Sequence, residues 1–170
     1  MEEKSSIENL NGAAAVQKIR DLAENSMSCV MQTALTDRPI PSRPMGVNRS
    51  DESGRLYFLS HRGSGKNADI LKSPEMQITI NNDKDLEYLS LFGSAEVYRE
   101  QALIDEMYSP FADNWFDGKE DPAITINRFT PKSGHYWNAK HGKLVQFAHI
   151  LVGAITGKKS DDGVEGEILL

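Results

Sequence analysis

Between Ser42 and Lys66 the chain places Arg43, Arg49, Arg55, Arg62 and Lys66 around the apolar run Leu56–Leu59, with Ser60 and Ser64 among them. The whole chain carries 25 acidic against 19 basic residues, a formal charge of -6. Its positive charge is therefore concentrated here. Arginine and lysine supply charge-assisted donors, and the serine hydroxyls supply neutral ones. Such a set suits a phosphate monoester. Lys66 opens a predicted short helix, whose first N–H groups lack partners within the helix and attract an anion. Two neighbouring strands would bring Arg43 and the turn Ser60–Lys66 to the same end of a sheet. A solvated basic turn explains the same composition, and on composition alone it is the simpler reading. The fragment Gly63–Lys66 misses the spacing of a phosphate-binding P-loop, because Asn67 follows the lysine.

Other chemistry is less evident. His61, His135, His141 and His149 show no HxxxH or HExxH spacing, so no metal site is expected. The single cysteine, Cys29, excludes a disulfide within one chain and points to a reducing, cytoplasmic compartment. The acidic balance argues against a nucleic-acid binder. The N-terminal "MEEKSSIENL" lacks the pattern of a secretory signal. The most apolar stretch, 144–157, contains Gln146 and His149 and is too short to span a membrane.

The elements that must position these residues follow from periodicity. A flexible lead, 1–12, is expected to precede a domain at 13–157, with 158–170 as a tail. Val16, Ile19, Leu22 and Ala23 mark a helix, with Asn11 as its cap. Ser28–Leu35 reads as a strand. "SDESG" is a turn between the extended "SRPMGVNR" and the strand "RLYFLSH", making a hairpin. Met76, Ile78 and Ile80 alternate as in a half-buried strand. A long strand follows with Gly93 as a bulge. Then come a helix over "EQALIDEMYSPF", a loop, one or two strands to Asn138, and a helix over 144–157. The fold class expected is mainly β with α additions: an antiparallel split β-barrel with flanking helices.

Taken in order, "SRPM", "GRLYFLS", the S-x-K of "GSGK", the Ile78-x-Ile80 strand, "YLSLFGSAEV", Trp115–Phe116 and Tyr136–Trp137 resemble the flavin-binding split barrels related to pyridoxamine 5'-phosphate oxidase, in their general stress protein branch. The resemblance runs from about Gln17 to Asn138. It implies FMN as cofactor, with Arg43, Pro44 and Met45 lining it and Arg43 near the phosphate. It further implies Leu59 and Ser60 flanking the cofactor, Ser64 and Lys66 completing the phosphate clamp, and Tyr88 beside the ring. It implies a homodimer with FMN at the interface, to which Trp115 or Trp137 would come from the partner subunit. An ordinary core or cross-strand role fits Met45, Tyr88 and Trp137 as well. True oxidases of the family carry a lysine where this chain has Asn48, and an Arg-x-His element after the position of Trp137 that this chain lacks. His135 also stands where a glutamate precedes Tyr-Trp. Vitamin B6 oxidation is therefore not expected. The expectation is an FMN-dependent oxidoreductase linked to stress, with a nicotinamide donor. The alternatives are a flavin-sequestering protein without turnover and a barrel that holds a deazaflavin or haem.

Overall fold

The structure, a computed structural model, describes residues 6–26, 28–139 and 163–170. Helix α1 (Gly12–Asn25) buries Ala15, Ile19, Leu22 and Ala23, a stripe at helical spacing. Three of the four expected positions are buried; Ala15 takes the place of Val16, which is half-buried beside Gly54 in the turn at 51–54. Asn11 stands at the cap position but makes no capping hydrogen bond with its side chain.

Strands β3 (Cys29–Gln32), β4 (Ser42–Met45), β5 (Arg49–Ser50), β6 (Leu56–His61), β7 (Glu75–Asn82), β8 (Glu87–Tyr98) and β9 (Ile124–Ala139) build the barrel. Antiparallel pairs run β4–β3–β7–β8–β9–β6–β5. The segment 42–50 pairs with β3 through its first half and with β6 through its second, so it closes the ring. Asn48 secures the closure: its N–H donates to the Tyr57 carbonyl at 3.0 Å, and its Oδ1 accepts from the Leu59 N–H at 2.9 Å.

Along β9 the partner changes. Residues 124–129 pair with β6, whereas 133–139 pair with β10 (Gly163–Leu169), so the sheet splits beyond Pro131. Opposite this point β8 shifts register between Phe92 and Gly93. A Cβ on Gly93 would fall on the Thr130 carbonyl and the Phe129 ring, so only glycine allows the two strands this approach. The chain ends differ from expectation. β1 (Ser6–Ile7) and β2 (Leu10–Asn11) pair in parallel with β10, and the Tyr136 hydroxyl donates to the Glu8 carbonyl at 2.5 Å. Neither a loose lead nor a loose tail describes these residues. The helix expected over 144–157 lies outside the described residues.

Two apolar clusters stabilise the fold. Met31, Leu56, Phe58, Met76, Ile78, Leu89, Leu91 and Phe129 fill the barrel under α1. Tyr57, Leu59, Ile124 and Ile126 pack outside it against Ile104 and Met107 of α3 (Gln101–Met107). Leu56–Ser60 is buried on both faces, which explains an unbroken apolar run where alternation would mark a half-exposed strand. Each large buried side chain contributes about 1.5–3 kcal/mol. The hairpin turn is held by Asp51. Its carboxylate accepts from the Ser53 and Arg55 N–H groups, from Arg55 Nε at 2.7 Å and from the Tyr57 hydroxyl at 2.7 Å. Burial raises its pKa, but these donors outweigh burial and hold the carboxyl below its usual range. Gly54 takes φ +75°, the left-handed conformation that closes the turn. No helix among the described residues is long and apolar enough to cross a membrane.

Candidate functional site

A cleft of about 250 Å³ opens where β4, the end of β6 and helix α2 (Gly65–Lys72) meet the segment after α3. Pro44 and Met45 form one wall, Leu59 to His61 the floor, and Lys66 one end. Phe111, Trp115 and Phe116 form the other wall. Phe111 lies in, and Trp115 follows, a short 3-10 helix, Pro110–Asn114, anchored inward by the buried Ala112. Their rings meet edge to face at 5.0 Å while each stays more than half exposed, at 71% and 62%. Large aromatic area left open on a fixed support is a surface made for another ring.

Lys66 is half-buried, yet its ammonium has no hydrogen-bond or ion-pair partner among the described residues. Burial lowers its pKa, and the charge of Arg43 lowers it further. Arg43 stands behind it: Nη1 donates to Thr33 Oγ1 at 2.7 Å, and Nη2 lies 3.7 Å from Asp69 Oδ2. Thr33 in turn donates to Asp69 at 2.6 Å. Arg43 thus reaches α2 through Asp69, three residues after Lys66 on the helix. Asp69 pairs with Arg43 and not with Lys66, which leaves a net positive charge at the cleft's end. The link from Arg43 to the helix that carries Lys66 runs through Thr33, just after β3, and Asp69.

The serines are less free than the sequence implies. Ser64 caps α2, accepting from the Asn67 N–H at 3.4 Å. Ser60 is buried, and its hydroxyl donates to Asn67 Oδ1 at 2.9 Å. Asn67 donates to Thr125 Oγ1 at 2.9 Å, and Thr125 donates back to the Ser60 carbonyl at 2.8 Å. This closed network fixes the turn that carries Lys66. Asn67 and Asn48 are the residues that sequence reasoning did not assign to this framework. The spacing of Asn67 from the helix cap was the only local signal for it.

Six of the expected residues, Pro44, Met45, Leu59, Ser60, Lys66 and Trp115, line this cleft, and Arg43 and Ser64 support it from behind. Trp115 reaches it within its own chain. Tyr88 and Trp137 do not. They face each other across β8 and β9 on the outer side of the sheet, where Trp137 is 42% exposed and stacks on His135 at 6.1 Å. Among the described residues no three histidine, cysteine or acidic side chains gather as a metal site. Cys29 is buried, and burial pushes its thiol up to about 12.

A barrel closed by one bent segment, with a long strand that leaves the ring to join a second wing, is the split-barrel architecture. A candidate general stress protein 26 from Jannaschia sp. CCS1 shares it with a TM-score of 0.76 at 23% identity, over 94% of this chain and all of that one. The general stress FMN/FAD binding protein of Xanthomonas citri shares it with a TM-score of 0.61 at 17% identity, over 73% of this chain and 87% of that one. In sequence, protein bli-3 of Neurospora crassa is 26% identical over 156 residues, 84% of this chain and 75% of that protein. The profile of the family described as pyridoxamine 5'-phosphate oxidase like matches residues 14–161. The chain belongs to that family.

Proposed function

We propose that the cleft binds FMN and that the protein is a flavin-dependent oxidoreductase of the general stress type. The observation that carries this reading is Lys66: a half-buried cation without a counter-ion, reinforced by Arg43, at one end of an otherwise apolar slot. Leaving such a charge unmatched is costly, and a phosphate dianion removes the cost. Pro44 and Met45 offer an apolar wall, Trp115 an aromatic wall, and Leu59 an apolar part of the floor, for a planar ring. When bound, the flavin supplies the hydride or electron chemistry; the chain binds, orients and shields it.

The cleft is smaller than the roughly 300–1,000 Å³ of pockets that enclose such a ligand by themselves. A second copy of the chain, presenting Tyr88 and Trp137 from its outer sheet face, would complete the enclosure. We assign no vitamin B6 oxidation, given the missing Arg-x-His element. A second reading is favoured by one feature: no carboxylate lines the cleft, so acid–base groups for turnover are few. In that reading the protein sequesters flavin.

The visible spectrum of the purified protein tests both. A flavin spectrum, and a higher melting temperature with added FMN, are expected; ligand at 100 times its Kd stabilises by about 2.7 kcal/mol. A colourless protein whose melting is unmoved by FMN overturns the flavin reading, and a haem spectrum replaces it. Anaerobic bleaching by NADH or NADPH supports the oxidoreductase. Flavin that stays oxidised supports sequestration.

A further inference from the structure

His61 ends β6 and lines the cleft between Ser60 and Lys66. Its side chain is exposed, and one edge of the ring is held by the turn. Nδ1 accepts the Gly63 N–H at 3.1 Å, and the ring packs under Gly63, where an added Cβ would lie 3.4 Å from Nδ1. A ring nitrogen that accepts a hydrogen bond carries no proton, so the proton of the neutral imidazole sits on Nε2. The backbone around the ring is also fixed. The His61 carbonyl accepts from the Ser64 N–H at 2.9 Å and from Asn67 Nδ2 at 3.2 Å, and the Arg62 N–H donates to the Ala123 carbonyl at 2.8 Å.

Nε2–H has no acceptor among the described residues. The charged groups around it are Lys66 in the cleft, Arg62 beside it in the turn, and Asp121 from the loop before β9. Asp121 is already committed, accepting from the Asp117 N–H at 3.0 Å and the Ala123 N–H at 2.8 Å. Those two bonds, against burial and with the nearby charges of His61 and Arg99, hold its carboxyl below the usual range. A donor beside an unmatched lysine and facing a ligand cleft is aimed at an anion.

We infer that His61 is a further ligand-positioning residue, whose Nε2–H donates to the phosphate of the cleft's ligand beside Lys66. This rests on the flavin reading above. Nothing in the resemblance assigns a role to this position. The Gly63 N–H is what sets the tautomer, so the turn between β6 and α2 orients a side-chain donor as well as the lysine.

The test compares FMN and riboflavin binding by fluorescence quenching at pH 8, above the ordinary titration range of histidine. His61→Ala should weaken FMN about tenfold to hundredfold, the range for a hydrogen bond to a charged acceptor. Riboflavin affinity should stay within about twofold. His61→Gln, which keeps a donor near Nε2, should recover most of the FMN affinity. Nitrogen NMR of histidine-labelled protein should show the Nε2–H tautomer and a shift of that nitrogen on adding FMN but not riboflavin. Equal losses for both ligands in His61→Ala, or an Nδ1–H tautomer, overturns the inference while leaving FMN binding intact. Wild-type protein that binds neither ligand overturns the flavin reading itself.

Discussion

In the cleft, Lys66 holds a charge that no ion pair among the described residues matches, and Phe111 and Trp115 stand open in and just after a 3-10 helix. On the outer face of β8 and β9, Trp137 also stands open beside the half-buried Tyr88, on a fully paired part of the sheet. There the polar neighbours find partners, as where Gln77 Nε2 donates to Ser90 Oγ at 2.9 Å. Both regions expose aromatic area; only the cleft sets it beside a half-buried cation without an ion-pair partner among the described residues. Exposed rings alone mark a surface that fits a partner protein. Exposed rings around an unmatched cation mark a site for an anionic aromatic ligand.

The comparison breaks most directly at the two cations. Arg43→Ala with Lys66→Ala should lower FMN affinity by about 10²–10⁴-fold, two charge-assisted bonds' worth, and leave riboflavin far less affected. Titration calorimetry with both ligands checks this. Equal losses would remove the charge from the distinction between the regions. The pH dependence sharpens the same point. The Lys66 pKa is lowered in the folded protein, so the charged form is disfavoured there relative to the unfolded chain. Its penalty to stability is present below the folded pKa and is relieved as pH rises towards the unfolded value. FMN affinity should fall across that same rise, starting below the ordinary lysine range, and Lys66→Arg should move the fall to higher pH.

Gly93 lies at the bend where the closed barrel gives way to the wing. Gly93→Val should cost about 3 kcal/mol in urea unfolding, because its Cβ meets the Thr130 backbone. Asp51→Asn serves as a control outside both regions. It should cost about 1–3 kcal/mol at pH 7. The folded Asp51 pKa is depressed, so the difference from wild type should vanish as pH falls through it. FMN affinity should be unchanged. The smallest effects separate the aromatics. Trp115→Ala should weaken flavin binding about tenfold at most without changing the sedimentation coefficient. Trp137→Ala should loosen self-association instead. The reverse pattern would exchange the roles given to the two surfaces.

Much of the fold was legible because it rests on local periodicity and turn chemistry. Alternation at Met76, Ile78 and Ile80 marked β7, and Gly93 marked the bulge of β8. What failed was less local. The short 3-10 helix Pro110–Asn114 straddles the end of the helix expected over "EQALIDEMYSPF" and the loop after it, since five residues carry no period. The pairing of residues 6–11 with β10 joins segments more than 150 residues apart, which no window of sequence registers.

By itself the sequence determined which charged and hydroxyl residue types gather between Ser42 and Lys66; that Arg43, Ser64 and Lys66 form a phosphate clamp is an expectation from the family resemblance. Only the tertiary structure decided that Lys66 faces the cleft unpaired while Arg43 is held behind it by Thr33 and Asp69. It also divided the predicted aromatics, giving Trp115 to the cleft and Trp137 to the opposite sheet face. The physical reason is that side-chain types fix what a residue can bind, whereas strand register and helix packing fix which partners have already claimed it.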